Sequence, residues 1–153
     1  MNTMARHSPV REIIASAAAR YARITPKGIR LPCAGNDYNP IDVALITYKP
    51  ARTRYVNRHP LCRSLNGINA LDTNVRCATC RDRTTCTPQI ALDFSYRNVP
   101  FRLMLAYTAA KNFMAFTRTL RPPHNTIDDA SVRISVIDRG RWGEPNFTLM
   151  PIQ

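Results

Sequence analysis

Four cysteines in a polar, arginine-rich stretch constrain the fold of this chain more than any other sequence feature. Fourteen residues separate Cys62 from Cys77, two separate Cys77 from Cys80, and five separate Cys80 from Cys86. A two-residue gap lets both thiolates of one turn point at the same ion, and a tetrahedral structural zinc takes four such ligands. The spacing therefore predicts that these four cysteines hold a structural Zn²⁺.

Disulfides or free thiols are the alternatives to a metal site. Disulfides form in oxidising compartments, and the N-terminal residues show no apolar stretch of the kind that signal peptides carry. We therefore expect a cytoplasmic protein with reduced thiols. His59, three residues before Cys62, stays open as a replacement ligand or as a neighbour of the ligands. Cys33 stands alone and is interpreted as a small buried residue.

The cysteine segment, residues 58–87, needs support from outside its own sequence. Its large apolar residues are few: Leu61, Leu65, Ile68, Leu71 and Val75. A metal that binds only the folded form contributes on the order of 10 kcal/mol in small zinc modules. Catalytic zinc keeps a coordination position open for water, so an all-cysteine ligand set indicates a structural metal.

The charge of the chain indicates a polyanionic partner. The 153 residues, enough for one domain with an ordinary core, carry a formal net charge of +12. Of the 22 basic residues, only Lys27, Lys49 and Lys111 are lysine. Arginine offers a planar fork for phosphate and a flat face for stacking on bases. A GC-rich genome would also favour arginine but would not create the charge excess, so nucleic acid is the expected partner. No apolar run long enough to span a membrane is present.

Alternating apolar residues predict most of the strands. The two clearest strands carry their apolar side chains at every second position: Ile90, Leu92, Phe94 and Tyr96, then Phe101, Leu103, Leu105 and Tyr107. A turn at 98–100 makes them an antiparallel hairpin, and both tyrosines are expected in the core. Further strands are predicted at 43–49, resuming at 52–57, at 132–136 and at 147–152. Residues 24–42 read as a loop with a short strand at 29–31.

Two helices are predicted. The first covers 8–23, with Ser8 as its cap and Pro9 in its first turn, and it either docks on the domain or contacts a partner. The second runs from Thr108, as its cap, to about Leu120, and two prolines stop it. Each helix has an apolar stripe, formed by Val10, Ile13, Ile14, Ala17, Ala18 and Tyr21 in the first and by Ala109, Phe113, Phe116 and Leu120 in the second.

The order of these elements predicts a mainly β fold with one or two helices. After an extension at 1–42, a domain at 43–153 reads strand, cysteine insertion, two strands, helix, two strands. Five strands with a helix between the third and the fourth are typical of an OB-fold, a small Greek-key barrel. The prediction is an OB-fold-like five-stranded barrel with an inserted four-cysteine zinc module at 58–87 and an N-terminal helix. Another small α+β sheet would also fit this order.

Part of the chain resembles a known family. The segments Cys62-Arg63-Ser64-Leu65-Asn66-Gly67 and Cys77-Ala78-Thr79-Cys80, then Cys86, precede a strand at Pro100-Phe101 that leads into a Phe/Leu helix. Residues 58–121 are thereby similar to zinc-containing OB-fold single-stranded-DNA-binding proteins of phages and mobile elements. Arg81 departs from that family's pattern, which often has proline there. The resemblance implies a non-enzymatic role in DNA replication or recombination.

A binder of single strands needs cations for the phosphates and aromatic platforms for the bases. Tyr55 lies among arginines, and Trp142 lies in a predicted turn that connects the last two strands. Trp142 could instead cover one end of the barrel. The predicted nucleic-acid-binding residues are Arg52, Arg54, Tyr55, Arg58, Arg97, Arg102, Arg133, Arg139, Arg141 and Trp142.

Two other classes of function are alternatives to this hypothesis. An enzyme is not expected, because no Ser/His or Cys/His arrangement, phosphate-binding glycine loop or carboxylate cluster is recognisable in the sequence. The second alternative is a zinc-ribbon regulatory or interaction module that binds duplex DNA, RNA or a protein. RNA as the bound strand and a homo-oligomer both stay open.

Overall fold

The computed structural model describes residues 20–32, 34–57, 59–65, 68, 70–71, 76–81, 83–120 and 130–150. Within them the protein is mainly β, with one α-helix and one mixed sheet curled into a half-barrel. The helix, α1, is Thr108–Thr117. The strands are β1 Arg20–Thr25, β2 Gly28–Arg30, β3 Asp37–Tyr38, β4 Ile41–Val56, β5 His59–Ser64, β6 Cys86–Tyr96, β7 Val99–Ala106, β8 Ser131–Asp138 and β9 Gly143–Leu149.

The sheet is built around the long strand β4. Its order is β3-β2-β1-β7-β6-β4-β8-β9, and β5 also pairs with β4. One edge of β4 pairs with β8 near Ile41 and with β5 near Arg54, while the other edge pairs with β6. A register shift opposite β6 lies between Leu45 and Thr47. Such an irregularity bends a strand and increases its twist, which fits a curled sheet.

The predicted hairpin of β6 and β7 is confirmed. Phe94 lies opposite Phe101 and Leu92 opposite Leu103 in an antiparallel ladder. These side chains point to one face and are buried, as their alternation requires. Helix α1 covers part of this core with Phe113, which packs edge-on against Phe147 of β9 at 5.2 Å between ring centroids. Tyr96 packs against the core and Tyr38, as predicted.

The start of the chain differs from the prediction. Residues 8–19 of the predicted helix lie outside the described residues, and residues 20–23 belong to β1, which pairs with β7 in parallel. Ala22 is buried between exposed Tyr21 and Arg23, which is strand periodicity. Over so few residues the sequence fits the period of a helix or that of a strand. The edge of β7 favours the strand, because its backbone groups need hydrogen-bond partners. Strands β2 and β3 lie in the predicted loop at 24–42.

The element order after residue 42 is as predicted, with two refinements. The strands predicted at 43–49 and 52–57 are one strand, β4, and the cysteine segment contributes β5. The five expected barrel strands follow one another as β7-β6-β4-β8-β9, but the outer edge of β7 pairs with β1 and not with β9. The described residues therefore form a half-barrel and show neither a closed five-stranded barrel nor a formed zinc module.

The helix begins as predicted but without the predicted cap. Thr108 is its first residue, and Tyr107 holds the cap position with no side-chain hydrogen bond. Its last helical residue is Thr117, and Leu120 lies just beyond the turn that follows. The two prolines expected to stop it lie outside the described residues.

Candidate nucleic-acid interface

An apolar cleft of about 400 Å³ lies where β7 ends and α1 begins. Its lining includes Met104 and Ala106 of β7, Ile24 of β1 and Trp142 of the β8–β9 turn. Tyr107 stands at its margin with 77% of its surface exposed, and Trp142 is 46% exposed. Two large aromatic side chains thus meet solvent beside the same cleft.

The turn that carries Trp142 is held by its own backbone. The Arg139 amide donates to the Trp142 carbonyl oxygen at 2.9 Å, and the Gly140 amide donates to Asp138 Oδ1 at 2.7 Å. Gly140 has a φ of +89°, which an L side chain would strain. Gly143 lies so close to the Thr25 carbonyl oxygen that a Cβ there would collide with it. Trp142 is therefore displayed from a fixed turn, as the sequence indicated.

Tyr107 was predicted to be buried, and that prediction was wrong. Its φ of +51° and ψ of −119° are a conformation that glycine favours, and they turn the chain away from the strand before α1 starts. The alternation ends at Leu105, and the ring is directed to solvent. The position of Tyr107 between the end of a predicted strand and the predicted cap, Thr108, was the available signal for this exposure, because the backbone must change direction there.

Tyr55 is exposed and held by a buried polar pair. Thr53 Oγ1 donates to Gln89 Oε1 at 2.5 Å, and Gln89 Nε2 donates to Tyr55 Oη at 3.1 Å. Gln89 lies opposite Ala106, the last residue of β7. This contact places Tyr55 on the same part of the sheet as the cleft and fixes its hydroxyl while leaving the ring accessible.

Several of the predicted cations already have acidic partners. Arg102 Nε donates to Asp93 Oδ1 at 2.8 Å, in a pair whose side chains are 15% and 7% exposed. Burial opposes the charge of Arg102, but the hydrogen bond from its guanidinium to Asp93 outweighs this and raises the pKa of Arg102. Arg133 pairs with Asp42 at 2.8 Å on the surface and holds the pKa of that carboxyl below its ordinary value.

The remaining predicted cations differ in their surroundings. Arg97 lies over the ring of Tyr96 at 5.1 Å, and Arg139 pairs with Glu144 at 3.2 Å. Arg141 is exposed and makes no hydrogen bond or ion pair with another residue that the structure describes. Arg52 and Arg54 are half-buried near the end of β4. Arg58 lies outside the described residues.

Two of the four cysteines flank the same residue of β4. Cys62 on β5 and Cys86 on β6 both pair in register with Arg54, one on each side of β4. Cys77 and Cys80 enclose a short 3-10 turn, Cys77–Thr79, in which the Cys80 amide donates to the Cys77 carbonyl oxygen at 3.3 Å. None of these four thiols forms a disulfide. The fifth cysteine, at position 33, lies outside the described residues.

The other three cysteines affect the pKa of Cys86. Its pKa is raised above the ordinary value by burial first, and then by the charges of Cys62, Cys80 and Cys77, while Arg52 opposes the rise. Soft sulfur donors are ligands that Zn²⁺ prefers. The described residues nevertheless contain no group of three or more His, Cys, Asp or Glu side chains arranged to hold a metal ion.

No family model, curated protein or solved structure matches this chain. Among the described helical residues, none form a segment with the length and apolar character needed to cross a bilayer.

Proposed function

We propose that this protein binds single-stranded DNA without catalysing a reaction, through an arginine-containing surface and stacked aromatic side chains. The proposal includes an OB-fold-like arrangement of its barrel strands. The pairing order β7-β6-β4-β8-β9, with α1 between β7 and β8, supports that arrangement.

One observation carries the proposal: exposed rings stand beside cations on a chain of net charge +12. Tyr55, Tyr107 and Trp142 are all exposed, and none stacks on another aromatic side chain of the described residues. An unpaired strand offers flat bases and charged phosphates together, and stacking contributes about 1–3 kcal/mol for each base. Duplex DNA hides its bases inside the stack, so exposed aromatic platforms favour a single strand.

The arginines and the aromatic rings would bind different parts of the strand. The accessible guanidinium of Arg141 would bind phosphate, as would Arg52 and Arg54 beside Tyr55. Arg102 and Arg133 already neutralise Asp93 and Asp42, so they would add less to phosphate binding than their number suggests. The rings would hold the bases without selecting a sequence, since every base has a flat face.

The cysteines would stabilise this binding surface without contacting the DNA. Cys62, Cys77, Cys80 and Cys86 are the residues that would hold a Zn²⁺, whose chemistry there would be structural cross-linking. The metal would fasten β5 and the 3-10 turn to β4 and β6, which carry Arg54 and the Tyr55 hydroxyl contact. It would also offset the charge that several neighbouring thiolates share.

Fluorescence anisotropy with matched single-stranded DNA, duplex DNA and RNA tests the proposal. We expect the tightest binding to a single DNA strand, and we expect Arg141→Gln to reduce the salt slope of log K by about 0.7, the contribution of one phosphate contact. Arg133→Gln is the control, since this arginine pairs with Asp42, and we expect a smaller change. Duplex binding at least as tight as single-strand binding would favour the regulatory-module alternative instead.

A further inference from the structure

Two aromatic side chains beside the cleft lack the ring contacts that the other packed aromatics make. Tyr38 contacts Tyr96 at 5.5 Å between ring centroids, and Tyr48 contacts Phe113 at 5.2 Å. Tyr107 and Trp142 make no such contact with any described residue, are exposed and both line an apolar cleft. Their flat faces are therefore available to a ligand.

Backbone strain and turn geometry keep these two rings outside the core. Tyr107 has a φ of +51°, a backbone region that bulky residues rarely adopt. Trp142 is fixed by the 2.9 Å hydrogen bond from Arg139 to its own carbonyl oxygen. The backbone that carries both side chains is thus fixed before any ligand arrives, which lowers the ordering cost of binding.

Two basic residues adjoin residues that line the cleft. Arg141 precedes Trp142 and is exposed, and Lys111 is exposed one helical turn after Tyr107, its amide donating to the Tyr107 carbonyl oxygen at 3.0 Å. The cleft volume of about 400 Å³ falls within the range of small-molecule sites. Apolar walls, two flat faces and flanking cations together match one nucleotide and not an aliphatic side chain.

We propose that the cleft between Tyr107 and Trp142 takes one unpaired nucleobase of a bound single strand, with Arg141 and Lys111 on its flanking phosphates. This inference rests on the single-strand binding proposed above and adds a specific subsite to it. Tyr107, which the sequence placed in the core, becomes a binding residue.

Intrinsic fluorescence reads this subsite directly, because Trp142 is the only tryptophan in the chain. The probe is an oligothymidylate of roughly 12 nucleotides, within the length that one small barrel covers. We expect its binding to quench Trp142 emission. We also expect Tyr107→Ala and Trp142→Ala each to weaken binding about 5- to 150-fold by anisotropy, the equivalent of one lost stacking contact.

A double variant distinguishes one shared base from two separate platforms. If the same base touches both rings, the combined loss in Tyr107→Ala/Trp142→Ala is smaller than the product of the single losses, since neighbouring contacts are not additive. Ile137→Ala is the matched control, because Ile137 is exposed on the same β8–β9 hairpin but does not line the cleft. We expect its affinity to equal that of the unmodified protein.

The outcomes separate this inference from the proposed function. Full-affinity binding by both single variants, unchanged Trp142 emission at saturation, or strictly multiplicative losses would overturn the shared subsite while single-strand binding stood. No binding of the oligonucleotide by the unmodified protein would overturn both. Emission that changes when the protein alone is diluted would indicate that a second copy covers the cleft, and would also overturn the inference.

Discussion

The sheet with its helix and the cysteine segment are stabilised in different ways. Phe94 and Phe113 are fully buried in a core shared by β4, β6–β9 and α1. In the described part of the cysteine segment, Ala70 and Ser64 are buried, whereas Ile68 and Leu71 are exposed. The comparison teaches that burial can hold the sheet together, while the cysteine segment has few buried apolar side chains. Its contacts include that of Arg63 over Tyr21 at 5.1 Å, and the proposed metal would add cross-links.

We expect loss of the proposed metal to lower stability more than any other change, and only in the cysteine segment. A chelator, or Cys77→Ser with Cys80→Ser, should remove on the order of 10 kcal/mol of local stability from the cysteine segment. Hydrogen exchange should then accelerate at 59–86 and stay slow in β7. Mass spectrometry of the native protein should find about one Zn²⁺ per chain. Metal-free protein with equally slow exchange in both regions would break the comparison.

A core truncation tests the other side of the comparison. Phe113→Ala should lower the free energy of unfolding of the sheet by about 3–5 kcal/mol, because it leaves a cavity where the ring met Tyr48 and Phe147. Leu71→Ala in the cysteine segment is the control and should change it by less than about 0.5 kcal/mol, since Leu71 is exposed. Denaturant unfolding measures both, and equal effects would show that the two regions share one source of stability.

Two ion pairs sharpen the comparison within the sheet itself. Asp93→Ala should cost about 3 kcal/mol of unfolding free energy, because it leaves the half-buried Arg102 charge without its partner. Asp42→Ala removes an equally short contact to Arg133, but these side chains are 50% and 45% exposed, so the cost should be much smaller. Thermal and chemical denaturation of the two variants should differ accordingly; the reverse order would contradict the assigned burial.

Substitution of Tyr107 should have the smallest effect on stability, and it should affect stability and binding differently. Tyr107→Gly relieves a backbone conformation that costs about 1–3 kcal/mol and loses about 0.5–1 kcal/mol to the greater freedom of unfolded glycine. We expect the variant to unfold at the same or a higher temperature but to bind single strands less tightly. Tyr107→Phe keeps the ring and the backbone and should match the native protein in both. A lower unfolding temperature for the glycine variant would refute the strain.

The sequence predicted what repeats along the chain and missed what depends on distant partners. Alternation was enough for β6 and β7, and the helical stripe was enough for α1, because local period and burial agreed there. The strand β1 was missed because Arg20–Arg23 fits two periods, and its pairing with β7 depends on residues about 80 positions away.

The candidate site divides in the same way. The turn that carries Trp142 is local and was predicted from the sequence, whereas the exposure of its ring was one of two open alternatives. The pairing of Arg133 with Asp42 joins residues 91 positions apart, so these two could not be assigned from sequence alone. The cysteine spacing predicts a ligand set, but whether four thiols converge depends on how β5 and β6 pair with β4.

The salt dependence of single-strand binding tests the central claim most directly. If arginines bind phosphates beside stacked bases, the logarithm of the affinity for a single DNA strand should fall linearly with the logarithm of salt concentration, with a slope of about −3 for four contacted phosphates. Anisotropy titrations over a range of salt concentrations measure it. An affinity that hardly changes with salt, or no binding in dilute buffer, would contradict the account.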